Sequence, residues 1–250
     1  MLSKMIYQQE FLKLLFCLFL LLLLNCQPDS PPRKIEILFL GHHSEHHNSE
    51  AYLPLLTAAL SPKGINFTYT DDPNDLTPEN LNKYDGLALY ANHDSISPPQ
   101  EKALLDFVRS GKGFIPIHCA SYCFRNSEQF VNLVGAQFMK HDTATFTAKI
   151  IQPKHPILKD FSEFETWDET YVHQYHTENR TVLMERIEGD HHEPWTWVST
   201  YGKGRVFYTA YGHDPLIPSL VDHLLAYTSS AVDQAEAYTL INRRQIIQEK

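Results

Sequence analysis

Histidine is the residue that this chain places where chemistry could use it. Of fourteen, seven follow directly on apolar runs that read as strands: His42, His43, His46, His47, His93, His118 and His213. Random scatter would have put several inside helices, where only His223 sits well within one. Imidazole titrates near neutrality and also ligates metals, so three chemistries are open. A divalent metal would take two or three imidazoles, with His47, His118 and His213 as candidates, and a carboxylate such as Glu169 or Asp214, although no H-x-x-x-H helical pair fixes the set. General acid–base catalysis would use His118, His47 or His213 with Glu169 as partner and needs only a pKa near neutrality. A nucleophilic route would use Cys119, whose thiol pKa is lowered at a helix amino terminus. Adjacent residues on a turn point apart, which counts against His118 as its base. Trp167, Tyr171, Trp195, Trp197 and Tyr211 fall in one half of the chain. Their faces suit the apolar side of a sugar ring, and equally a sheet packed with large side chains.

The stretch that must position His118 is Gly113-Phe-Ile-Pro-Ile-His118-Cys119-Ala120-Ser121. It follows an amphipathic helix, Gln100 to Ser110, and a glycine stop, so it reads as a buried strand that ends in a turn. Open α/β sheets bind ligands at the carboxyl ends of such strands. Ile35 to Leu40, Phe67 to Thr70 and Gly86 to Tyr90 read as further strands. Between them Ser49 is expected to cap a helix over Tyr52 to Leu60, and Pro78 to open a short one. Strand and helix alternating at this spacing imply right-handed crossovers and a parallel sheet whose carboxyl ends share one edge. Farther on, Thr143 to Ile151 alternates like one strand. Two β-rich runs, Trp195 to Thr200 and Val206 to Ala210, flank Gly202-Lys203-Gly204 as a hairpin. Pro215 opens a helix to about Tyr227, and an amphipathic helical tail, 229–250, follows.

The formal charge of −9 and the lack of a Lys/Arg stripe exclude nucleic acid as a partner. Lys4 and Lys13 precede an apolar run, Leu14 to Leu24, of signal-peptide length, and Leu23-Leu24-Asn25-Cys26 resembles a bacterial lipobox. Residues 1–26 are thus expected to be a lipoprotein-type signal peptide and 27–33 a proline-rich tether. An uncleaved anchor helix is the alternative. Either reading attaches the globular part, 34–228, to the membrane of the bacterial cell envelope, on its periplasmic or extracellular face. Of four cysteines, Cys17 and Cys26 belong to this leader. Cys119 and Cys123 are expected as free thiols, because i, i+4 pairs rarely reach disulfide geometry.

Several segments carry a family resemblance. These are Gly41-His-His-Ser-Glu-His-His47-Asn-Ser49, Tyr84-Asp85, Gly111-Lys-Gly113-Phe-Ile-Pro-Ile-His118, Trp167-Asp168-Glu169-Thr-Tyr171, His192-Glu193-Pro194 and Gly204-Arg-Val-Phe-Tyr-Thr-Ala-Tyr-Gly212-His213. In this order they resemble the trehalose-utilisation (ThuA-like) family, from about Lys34 to Tyr227. The resemblance implies an α/β fold of three layers: a mostly parallel sheet flanked by helices, flavodoxin-like or class I glutamine amidotransferase-like, with an added β-hairpin. Aligned to the amidotransferase G-I-C-x elbow, His118 takes the cysteine's place and Cys119 falls one residue later, so glutamine amidotransferase chemistry is not implied. What is implied is sugar metabolism, with 3-keto-glycosides or related keto-sugars as substrates. His118, His47, Glu169 and His213 would then carry acid–base steps of elimination, hydrolysis or isomerisation, and His42, His93, Trp167, Tyr171 and His192 would bind a small-molecule carbohydrate. A non-catalytic carbohydrate-binding lipoprotein module that serves a partner enzyme is the alternative. No cofactor is certain, a divalent metal and a homo-oligomer stay open, and the sugar is unspecified.

Overall fold

The computed structural model describes residues 34–44, 46–158 and 161–213. The leader with Cys17 and Cys26, Asp214, the helix expected from Pro215 and the 229–250 tail lie outside the described residues. Among the described residues no helix is long and apolar enough to cross a membrane.

Four parallel strands build the first half: β1 (Ile35–Leu40), β2 (Ile65–Thr70), β3 (Gly86–Leu89) and β4 (Gly113–Pro116). Every residue of β3 and β4 is buried, as a parallel strand covered on both faces must be. Helices α1 (Leu53–Leu60), α2 (Pro78–Leu81) and α3 (Pro98–Arg109) lie between these strands in the chain. Proline stands in the first turn of each, where its missing N–H costs nothing. α3 also carries a capping box between Ser97 and Gln100. Ser49 does not cap α1. It opens a 3-10 turn, and its hydroxyl takes the main-chain N–H of His42 (2.8 Å) and donates to the His42 carbonyl (2.9 Å), which clamps the histidine-rich loop shut. Gly41 makes this possible, since a Cβ there would lie 2.2 Å from Ser49 Oγ.

After α4 (Glu128–Val134) the chain forms β5 (Gln137–Lys140), β6 (Thr143–Phe146), β7 (Lys149–Ile150), β8 (Thr166–Glu169) and β9 (Val172–Gln174). The alternation of Thr143 to Ile151 thus breaks into two strands. β6 pairs with β8 in a small sheet, while β7 joins the edge of the main one, and β5 pairs with β9. β10 (Thr181–Glu188), β11 (His191–Tyr201) and β12 (Gly204–Thr209) complete the main sheet, whose order is β2-β1-β3-β4-β12-β11-β10-β7. β11 and β12 are the expected hairpin. It is not an appendage, because β12 pairs in parallel with β4 and carries the sheet onward into an antiparallel half. The parallel part, β2-β1-β3-β4-β12, reverses direction between β1 and β3, and such a switch point opens a crevice at the carboxyl edge.

Trp195, Trp197, Tyr211 and Tyr171 are all buried, so of the aromatic set only Trp167, 49% exposed, faces solvent. Trp197 stacks on Tyr208 (4.2 Å) and donates to the Val134 carbonyl at the end of α4 (2.8 Å). The glycine of the hairpin turn has a packing reason. A Cβ on Gly204 would stand 2.0 Å from the Val108 carbonyl oxygen and 2.6 Å from that of Lys112, main-chain atoms that cannot swing aside. Gly204→Ala should therefore lower the free energy of unfolding by at least the roughly 1–3 kcal/mol of ordinary overpacking. Urea denaturation with an unchanged m-value and a midpoint equal to that of the parent would refute this.

Candidate active site

His118 begins the turn after β4 with φ of 48°, a left-handed conformation that costs a non-glycine residue about 1–3 kcal/mol. Packing holds it there. Its carbonyl accepts from the hydroxyls of Tyr208 and Ser121 (3.1 Å each), Tyr171 stacks on its ring at 4.2 Å, and Gly212 approaches so closely that a Cβ there would lie 2.6 Å from His118 Cβ. Its Nδ1 is 2.7 Å from the Ala210 carbonyl oxygen. A carbonyl only accepts, so the proton is on Nδ1. In a neutral ring Nε2 then presents a lone pair to Glu169 Oε2, 3.1 Å away. Two acceptors then face each other, a contact that a proton or a cation between them resolves.

Glu169, at the end of β8, meets four imidazoles. His118 Nε2 (3.1 Å) and His47 Nε2 (3.7 Å) lie by one oxygen, and His213 Nδ1 (3.3 Å) and His141 Nε2 (3.6 Å) by the other. Burial opposes its charge. The hydrogen bond with His118 and the nearby imidazoles of His47 and His213 outweigh that and hold the carboxyl well below the usual carboxylate range. Asp168, fully buried, accepts the main-chain N–H groups of Gly212, His213 and Glu169 (3.1, 3.1 and 2.8 Å). Burial raises its pKa, against the pull of His118 and of these donors. One carboxylate therefore ties the β8 end to the Gly212-His213 segment, while its neighbour faces the histidines.

His47, His118, Glu169 and His213 each offer a ligand atom, and all these atoms lie within 4.8 Å of one another. Both ring nitrogens of His47 and Nδ1 of His213 are buried without a hydrogen-bond partner, the state of imidazoles arranged for a cation. The group can hold a metal ion.

The remaining candidates divide. His42 is buried and stacks on His47 (6.4 Å between ring centres), and His93 is half-buried, its Nε2 donating to the Gly41 carbonyl (3.1 Å). His93 thus braces the loop. Trp167 lies at the mouth, 5.9 Å from the His213 ring. Tyr171 is buried under His118 and offers no face to a ligand. His192 is exposed and pairs with Glu185 (3.0 Å), not with the cluster. Cys119 and Cys123 are free and buried. Burial pushes the Cys119 thiol pKa well up, opposite to the lowering expected at a helix terminus, so it is not an activated nucleophile. Sequence reasoning missed His141 and Asp168. His141 sits between two short strands outside the main sheet, where the strand-end pattern does not reach. Asp168 was visible in the Trp167-Asp168-Glu169 segment but carries no signal of the three N–H groups it collects.

The sheet order and the turn that His118 opens after β4 define an α/β protein with a mostly parallel sheet flanked by helices, the class I glutamine amidotransferase-like fold. The sequence pattern of the trehalose-utilisation family, ThuA, matches residues 36–219, and the chain belongs to that family. Solved structures agree. A ThuA-like protein from Bacteroides uniformis superposes with a TM-score of 0.65 at 17% identity, over 82% of this chain and 95% of that one. One from Parabacteroides merdae gives 0.68 at 16%, over 80% and 91%. A β-galactosidase from Bacillus circulans sp. alkalophilus matches 81% of this chain with 32% of its own length, at a TM-score of 0.58 and 14% identity. At such identities the likeness is one of fold. Among curated proteins no sequence matches.

Burial, then the neighbouring His93, His47 and His43, lowers the His42 pKa from 6.5 to about 4. The unfolded chain takes up this proton at the higher pH. Stability from neutral His42 is therefore complete above pH 6.5 and is lost as the pH falls toward 4. In chelator-treated protein the melting temperature should drop across that window, and less steeply in His42→Gln. Parallel profiles would show that residue 42 does not titrate there.

Proposed function

We propose that this protein is a metal-assisted acid–base enzyme of sugar metabolism that acts on 3-keto-glycosides or related keto-sugars. One observation carries the reading: a single buried carboxylate, Glu169, ringed by imidazoles at the carboxyl edge of the sheet. Family membership supports the sugar. Three imidazoles and one carboxylate suit a first-row divalent ion held by His47, His118, Glu169 and His213. Such an ion would supply Lewis acidity at a carbonyl oxygen.

In a 3-keto-glycoside the carbonyl acidifies the C2 proton, and the glycosidic oxygen on C1 lies β to it. Removal of that proton expels the aglycone and leaves an unsaturated keto-sugar. Glu169 is held ionised and its pKa is depressed, which makes it no proton donor and a weak base, so the proton work falls to another group. His141 suits it. It stands 3.6 Å from Glu169 and is 38% exposed, open to a substrate at the mouth, where it takes the C2 proton and returns it to the departing oxygen. Trp167 offers an apolar ring beside His213 for the sugar face. The fixed Nδ1–H of His118 keeps its Nε2 directed at the carboxylate side of the site. The lipobox-like leader supports a place for this chemistry at the cell envelope.

The test is incubation of 3-keto-trehalose and 3-keto-glucosides with protein stripped by chelator and reloaded with zinc, manganese, iron, cobalt or nickel. Aglycone release that needs one of these ions is expected. His141→Gln should lower kcat by the roughly 10²–10⁴-fold typical of a lost proton-transfer group, and Glu169→Gln should abolish retention of the activating ion by His47, His118 and His213. Substrates left unchanged with every ion would sink the enzyme, and tight keto-sugar binding without turnover would favour the carbohydrate-binding module.

A further inference from the structure

We propose that His42, His47 and Cys119 form a second metal position, for a thiophilic ion, beside the His47–His118–Glu169–His213 set and sharing His47 with it. It stands on ligand geometry and not on the keto-sugar reaction.

Each of the three residues offers an atom within 4.8 Å of the others, and all three are more than nine-tenths buried. His42 Nε2 and both nitrogens of His47 are buried without a hydrogen-bond partner. A buried polar atom that nothing satisfies is destabilising, so these three nitrogens are placed for a ligand. Because neither nitrogen of His47 is engaged, its imidazole can serve either ligand set, and both at once only as an imidazolate whose ring proton leaves to solvent.

The framework fixes these groups as it would for a ligand set. Ser49 clamps the main chain of His42, and the Ser44 hydroxyl takes the main-chain N–H of His47 (2.9 Å). Cys119 lies in the 3-10 turn that His118 opens. Burial of Cys119 makes a bare thiolate unfavourable. Sulfur ligation supplies the charge that the anion lacks: the ion bonds Sγ, and the thiol proton leaves to solvent.

The chemistry of the two sets differs. Three imidazoles and a carboxylate serve borderline divalent ions, while a thiol with two imidazoles selects softer ones such as zinc, cadmium or copper(I). The two positions would sort ions by softness within one crevice.

Cadmium titration of the full-length chain, kept reduced and followed by the near-ultraviolet thiolate-to-cadmium absorption, tests this. Absorption should grow with bound cadmium, with one proton released per thiolate formed. Cys119→Ser should abolish it. His42→Gln should weaken cadmium binding at this position by at least the roughly 10–100-fold that loss of even a supporting residue costs a metal site. Glu169→Gln, which alters only the first set, should keep the band. Circular dichroism of the metal-free variants establishes that each is folded, and Cys119→Ala serves if the serine is not tolerated. A band that persists without Cys119, or that vanishes in Glu169→Gln, overturns the second position. Cadmium bound without any thiolate band overturns it while leaving the first set intact, whereas failure of the chain to bind any ion overturns both.

Discussion

A carboxylate taken out of water needs donors or positive charge around it, and the site is organised by that requirement at Glu169. The residues that meet it come from separate places: the loop after β1, the turn after β4, the segment between β5 and β6, and the segment after β12. Sheet order brings three of these to one edge. The small β5–β9 and β6–β8 sheets supply what the flavodoxin-like part lacks, since β8 delivers Glu169 and Trp167 and the β5–β6 connection delivers His141. That insertion is therefore part of the site and not a surface elaboration.

Holding such a cluster requires structure behind it. Asp168 points away from the histidines and collects three main-chain N–H groups, so the strand that carries Glu169 and the segment that carries His213 move as one body. Behind His118 a second polar group does similar work. His173 pairs with Glu193 (2.8 Å) and reaches the Tyr208 hydroxyl (2.9 Å), which in turn bonds the His118 carbonyl (3.1 Å). The strained backbone of His118 is thus gripped from its carbonyl, its ring face and its Nδ1.

The parallel half of the fold was legible because its strands are short apolar runs that stop at glycine, proline or histidine, and because alternation with helices leaves few topologies. The convergence of His47, His118 and His213 followed from the same rule, since strand ends share an edge. Glu169 entered through the Trp167-Asp168-Glu169 motif and not through any periodicity. Where reading failed, the reason was a contact between distant residues. Ser49 looks like a helix cap by position, yet His42 offers its main chain first. Tyr171 and Trp195 look like sugar-binding aromatics until the small sheets fold over them. Cys119 reads as a nucleophile at a helix terminus, but full burial reverses its pKa.

The Ser49 clamp has a further consequence. It grips residue 42 through the main-chain N–H and carbonyl alone, so the clamp itself does not depend on which side chain that residue carries. The scaffold and the side chain at this point are therefore separable. Selection, or a protein engineer, can exchange the imidazole at position 42 for a side chain ending in oxygen or sulfur and still keep the hydroxyl clamp that closes the loop.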